Sequence, residues 1–463
     1  MSNRASSFPA APQLPPMHRY GGVLASTPEL AMHAMGDAYW VEGTGTVRGL
    51  PGWPKGPPIH LYLVGSPTFV NSSKLLMPGS QNYTFSPGDS CWALPLGDGV
   101  WRVIQISRAD GIPFVPGGML LFPVPQTRLT LTQGTPETSA DVTAATGLYL
   151  EPCDGDRVTV FDGVSWQTLT VAPSTYSLLA TNAMTGTRSS TSNAVISGLS
   201  DTSQLTVGMQ ISGTGVGASS VISTIDSPTQ VTGTVNNTGT GTATVTFKLP
   251  PNTNYDAYLS GVTGLPKLTW SAAWSNDTTP PTRAFLNGVE VASGASTKRL
   301  IGSARTTSVA GQLEDSHTHG YLSNRFAPRP RFMYATDPAA NWTYSTASYR
   351  QANANTANQF DYICCVPRSI WAHAQSLVVN NTGVNNVNVG IGIDSTSGNS
   401  AQLNQIANLS GTTYVPTNST YTGTPGIGRH YISWLEFGGG SNTQTWLATA
   451  ANNVAGIVGE IAN

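Results

Sequence analysis

Residues 91–107 read CWALPLGDGVWRVIQIS. Two apolar runs flank Asp98-Gly99, a pair suited to the tightest hairpin turn, whose two central residues both take positive φ. The second run carries Val103 and Ile106, which are out of phase for a strand of strict period two. The segment therefore reads as a hairpin whose second strand is either bulged or buried on both faces.

The same style runs outward in both directions. AYWVEG (38–43), IHLYLVG (59–65), TFVN (68–71) and KLLMPG (74–79) are short apolar stretches bounded by Gly, Pro, Asn or Asp. Further on, YLEPCDGDRVTVFDGVSWQTLTV (149–171) turns at Asp162-Gly163, and AFLNGVEVASG (284–294) turns at Asn287-Gly288. Short strands with regular turn signals predict an all-β chain of several small sandwich- or jelly-roll-like domains in series.

Composition agrees. Only 10% of the 463 residues are charged, against about 25% in soluble globular proteins. Few Lys and Glu and abundant Thr disfavour long exposed helices. A net charge of −2, with five Lys and 17 Arg, offers no basic stripe for a nucleic-acid backbone. No apolar run approaches the roughly 20 residues that cross a bilayer, and residues 1–22 lack the apolar core of a secretory signal. The expectation is a soluble chain made in the cytoplasm. Cys91, Cys153, Cys364 and Cys365 show no paired spacing, so buried free thiols are expected.

Five segments follow from these shifts in pattern. Residues 1–37, with Pro9, Pro12, Pro15 and Pro16, read as an extended arm. Residues 38–122 form an N-terminal β domain. Residues 123–181 and 248–310 form a central domain split by an insertion at 182–247, read as a small self-contained β domain, where nearly all charge is lost between Arg188 and Lys248. Residues 311–463 form a C-terminal sandwich.

Few residues suggest chemistry. Gly88-Asp89-Ser90 matches one esterase signature, but no Asp has a His three residues later, so a structural turn is the reading. Glu290, Glu314, Asp315, Asp361, Glu436 and Glu460 are the acids from which a hydrolytic pair would be drawn. QLEDSHTHGYL (312–322) holds two of the seven histidines. If it is extended, His317 and His319 share a face. Around a threefold axis they would supply six nitrogens to iron, zinc or nickel. The other reading of the segment is a solvated turn, and no further cofactor is expected.

Three blocks resemble tailed-phage virion proteins of the tail-fibre and appendage kind. They are IHLYLVG…RADG (59–111), YLEPCDGDRVTVFDGVSW (149–166) continued by LPPNTNYDAYL (249–259), LTWSAAW…SARTT (268–307) and EDSHTHGYLSNRF (314–326), and NWTYSTASYRQANANTANQFDYI (341–363) through GRHYISWLEFGG (428–439). The insertion and the His-x-His pair depart from that pattern. The resemblance implies a virion structural protein, a homotrimeric tail fibre or tail-tip appendage used in host attachment, with no catalytic residues. Its partners would be further copies of itself, other tail or head proteins, and a host surface polysaccharide or receptor. A head-attached fibre or decoration protein, and a polysaccharide-degrading tail spike, are the alternatives.

Overall fold

A computed structural model describes residues 19–32, 36–78, 82–109, 125–137, 140–261, 267–380, 384–410, 413–450 and 453–462. No α-helix occurs among the described residues, and the chain is all-β as the turn-rich, Lys- and Glu-poor sequence requires. It divides into two compact units, residues 1–121 and 122–463.

In the first unit a six-stranded sheet runs in the order Tyr20–Ala25, Ala38–Glu42, Ile59–Leu63, Ser90–Gly97, Val100–Ser107, Leu75–Leu76. Asp98 (φ 54°) and Gly99 (φ 73°) close the hairpin between Gly97 and Val100 as a two-residue turn with both φ positive. The pairing then steps from Trp92↔Gln105 to Ala93↔Val103, leaving Ile104 as an extra residue. That bulge brings Val103 and Ile106 to the same buried side while Ile104 stays exposed, so of the two readings the bulge is the one adopted. The inward face carries Tyr39, Val41, Leu61, Cys91 and Trp101, packed in one cluster with Val47, Phe69 and Phe85.

The expected arm ends early. Residues 1–18 lie outside the described residues, but Tyr20–Ala25 pairs in parallel with Ala38–Glu42 and is a strand of the sheet. Backbone donors beside an open sheet edge gain partners by adding a strand, which is why the segment does not stay separate.

The second unit holds the rest. The insertion builds two three-stranded sheets, one from Thr181–Arg188, Gly241–Lys248 and Gln210–Gly213, the other from Val195–Ile196, Gln230–Gly233 and Ile222–Ser227. Its ends pair directly, Thr181 with Lys248. Its apolar side chains (Leu205, Met209, Phe247) belong to one cluster with Leu150, Tyr255 and Trp270 of the surrounding strands, so its core is continuous with theirs.

The central sheet is built around the 11-residue strand Ala295–Arg305, flanked by Asn254–Ser260 and Val289–Ala292. Arg283–Leu286 and Val289–Ala292 are joined through Asn287 (φ 51°) and Gly288 (φ 80°), again a two-residue turn. Two C-terminal sheets share a second apolar cluster that includes Phe360, Tyr362, Ala372, Val389, Ile432, Trp434, Trp446 and Ile457. One is seven-stranded and centred on Ile370–Asn380; the other is eight-stranded and contains Gly428–Phe437.

The division at 310/311 is not a clean one. Val142–Ala145 joins the C-terminal eight-stranded sheet by pairing with Leu313–Asp315, and Leu322–Asn324 joins the central sheet beside Ala295–Arg305. Strands exchanged across the boundary satisfy each other's backbone groups, a long-range pairing that local turn signals do not encode.

Candidate functional site

The histidine segment forms a tight connection between Leu313–Asp315 and His319–Gly320, closed by the pair Asp315↔Gly320. Ser316 shapes it. Its amide donates to the His319 carbonyl at 2.9 Å. Its hydroxyl donates to Glu314 Oε1 at 2.7 Å and accepts the His319 amide at 3.0 Å.

Each imidazole then faces its own carboxylate. His317 Nδ1 lies 2.5 Å from Asp141 Oδ1, which also accepts the His317 amide at 2.9 Å. His319 Nδ1 lies 3.0 Å from Glu314 Oε1. The Glu314 hydrogen bond holds the His319 imidazolium above its ordinary pKa, against the opposing pull of burial. Among the described residues no three His, Cys, Asp or Glu side chains converge as a metal site would need. Within one chain the segment is a hydrogen-bonded polar turn.

Beside it lies a groove of about 400 Å³ lined by Arg128, Glu137, Asp315, His317, Arg329 and Phe332, among others. Its charges are committed to one another. Arg329 bridges Glu137 and Asp154, each at 2.5 Å. Arg331 reaches Asp141 at 3.2 Å and Asp315 at 3.6 Å. Burial raises the Asp315 carboxyl, with Arg331 and Arg128 opposing.

Three of the other acids singled out in the sequence are engaged in the same way. Glu290 is held by Arg283 and Arg325, and Asp361 by Arg429 and Tyr321. Glu436 is fully buried and accepts from Trp342, Arg350 and the Asn353 amide. Glu460 sits on Gly456–Ala462, a strand paired on both sides, in register between Phe332 and Trp371. Asp89 is buried and accepts the amides of Ser86 (2.8 Å) and Ala109 (2.9 Å), so Gly88-Asp89-Ser90 is a turn. The four cysteines are free and buried, with burial pushing the Cys364 thiol up to about 12.

Sequence reasoning missed two features. One is the buried Asp256, which accepts from Arg283 Nε (3.0 Å) and Nη2 (2.7 Å), Ser303 (2.6 Å), Trp274 and Tyr258. Arg283 also donates to the Cys365 carbonyl at 2.7 Å, tying the central sheet to the C-terminal one. No local pattern signals this pair.

The other is a set of exposed aromatic faces. Tyr20, Trp40 and Tyr62 stand out from the N-terminal sheet, and Phe332, Tyr334 and Trp371 from the seven-stranded one. The alternation in AYWVEG, with Tyr39 inward and Trp40 outward, was the available signal.

No family model and no curated protein matches the chain. Solved structures similar to parts of it include the insecticidal delta-endotoxin Cry8Ea1 from Bacillus thuringiensis, at 8% identity and TM-score 0.18, covering 62% of this chain and 53% of the toxin. The mosquito-larvicidal Cry4Aa toxin from the same organism is 8% identical with TM-score 0.17, covering 73% and 53%. A structure of infectious bursal disease virus, Gx strain, is 11% identical with TM-score 0.16, covering 60% and 75%. The chain spans about half the length of the toxin chains it matches. At these scores the likeness identifies no family.

Proposed function

We propose that this chain is a structural component of a tailed-phage virion, a tail fibre or tail-tip appendage that assembles as a homotrimer and contributes to host attachment. The observation that carries the proposal is the pair of sheet faces with exposed aromatic residues, Tyr20, Trp40 and Tyr62 on one and Phe332, Tyr334 and Trp371 on the other. Clustered aromatics left in water mark surfaces that a partner covers. The interior supports the same reading, because the acids weighed for hydrolysis that are buried there are tied into ion pairs and hydrogen bonds that hold sheets together. The resemblance of the three sequence blocks to phage appendage proteins supports the virion assignment.

Electron microscopy of the intact particle with an antibody against residues 182–247 tests it. Label on the tail is expected. Label on the capsid would favour a head fibre, and its absence from the particle would refute the proposal. Light scattering on the purified chain should give three times the chain mass; a monomer at micromolar concentration would refute the trimer.

A further inference from the structure

Of the six acids weighed for hydrolysis, Glu290, Glu314, Asp315, Asp361 and Glu436 each meet a cation or a histidine within the chain. Glu460 has no such partner among the described residues. It projects from the outer face of the seven-stranded sheet, alternating with the buried Ile457 and Ile461. Register sets it between Phe332 on one neighbouring strand and Trp371 on the other. Both rings are open to solvent, Phe332 at 64% and Trp371 at 41%. Adjacent strands lie about 5 Å apart, inside the roughly 6 Å over which an aromatic face attracts a cation. A positive group resting on the Glu460 carboxylate is therefore in reach of a ring on either side.

The rest of this face is polar but carries no Lys or Arg. Thr422 pairs with Trp371, Thr420 with His373 and Asn418 with Gln375, so hydroxyls and amides continue the outward rows. Gly456 floors a cavity of about 190 Å³ beside His373 and Gln375. A Cβ there would sit 2.4 Å from the Ala335 carbonyl, so the floor stays bare. An apolar protein surface laid over this face would strip water from Glu460 and leave a buried carboxylate unpaired, which is strongly unfavourable. The same face of a second copy brings no cation to meet it. The charge calls for a ligand with a positive group, and the rings and side-chain donors call for one with apolar ring faces and hydroxyls.

We infer that this face binds a polysaccharide of amino sugars that carry free ammonium groups. The C–H faces of the sugar rings lie on Phe332 and Trp371, and an ammonium group pairs with Glu460 between them. Carboxylate and ring faces attract the same charge, so the two contacts reinforce each other. Hydroxyls along the sugar chain meet Thr422, Gln375 and Asn418. The inference rests on the host-attachment reading and names the chemistry of the partner.

Calorimetric titration of the intact chain with a glucosamine hexamer, at about pH 6 where carboxylates and amines are both charged, tests it. The hexamer binds. Its fully N-acetylated counterpart, which lacks the charge, binds at least about tenfold more weakly. Glu460→Gln weakens the glucosamine hexamer by a similar factor while oligomeric mass and urea midpoint stay unchanged, and Phe332→Ser abolishes binding. No binding of the glucosamine hexamer overturns the inference, as does equal binding of the acetylated one or indifference to Glu460→Gln. Binding to phosphatidylcholine vesicles in place of the hexamer would assign the site to a lipid headgroup, and a changed mass in Glu460→Gln would assign it to a neighbouring copy; either overturns the inference. Label on the tail without hexamer binding sinks this inference alone, whereas absence from the particle sinks the host-attachment reading.

Discussion

Asp256→Asn removes one charge from the centre of the second unit while preserving volume. The carboxylate is fully buried. Its Oδ2 accepts from Arg283 Nε and Tyr258, and its Oδ1 from Arg283 Nη2, Trp274 and Ser303. An amide nitrogen in either position meets an Arg283 N–H with a donor, so one guanidinium hydrogen is orphaned whichever way the side chain turns. Burial pulls the Arg283 guanidinium down, yet the Asp256 hydrogen bonds and charge, with Glu290, hold it above its ordinary value.

Breaking a buried pair from one side costs about 3–5 kcal/mol. Glu290, 3.3 Å from Arg283 Nη1, remains as partial compensation, which places the cost near the lower end, about 3 kcal/mol. With a urea slope of about 3 kcal/mol/M, the unfolding midpoint followed by tryptophan fluorescence falls by about 1 M. Replacing both partners, Asp256→Leu with Arg283→Met, does not recover the loss, because the Ser303, Trp274 and Tyr258 donors are then left without their acceptor. A shift under about 0.3 M for Asp256→Asn, or a double variant as stable as the unsubstituted chain, would refute this account of the network.

Asp89→Ala orphans the Ser86 and Ala109 amides and should lower stability by about 2–3 kcal/mol, measured by urea unfolding of the same chain. Because the folded pKa of His319 is raised by Glu314, the stability it contributes is complete below its unfolded value and is lost as pH rises through the folded one. Glu314→Gln should therefore destabilise the chain in acid and leave it unchanged at pH well above neutrality, with the His319 NMR titration moving down. Since no three His, Cys, Asp or Glu side chains converge among the described residues of one chain, elemental analysis of tag-free protein should find no bound iron, nickel or zinc. One metal per three chains, lost in His317→Ala, would establish a threefold-axis site instead. Since Leu205, Met209 and Phe247 share one apolar cluster with Leu150, Tyr255 and Trp270, joining Thr181 to Lys248 through Asn-Gly in place of 182–247 should expose that cluster and give an aggregating chain on expression. A soluble chain of unchanged oligomeric mass would refute the shared core.

Sequence alone determined the features whose physics is local. Asp98-Gly99 and Asn287-Gly288 specify turns because few residues tolerate two successive positive φ angles. Val103 and Ile106, out of phase for period two, narrowed the second strand to a bulge or burial on both faces, and the pairing chose the bulge. Only tertiary structure decided which sheet a strand joins and which cation an acid meets. Asp141 reaches His317 across 176 residues and Arg283 reaches Cys365 across 82. An isolated acid reads the same in sequence whether a groove or a guanidinium awaits it. The fold leaves the acids weighed for hydrolysis that lie inside it with partners, because an unpaired charge there costs more than any single contact returns.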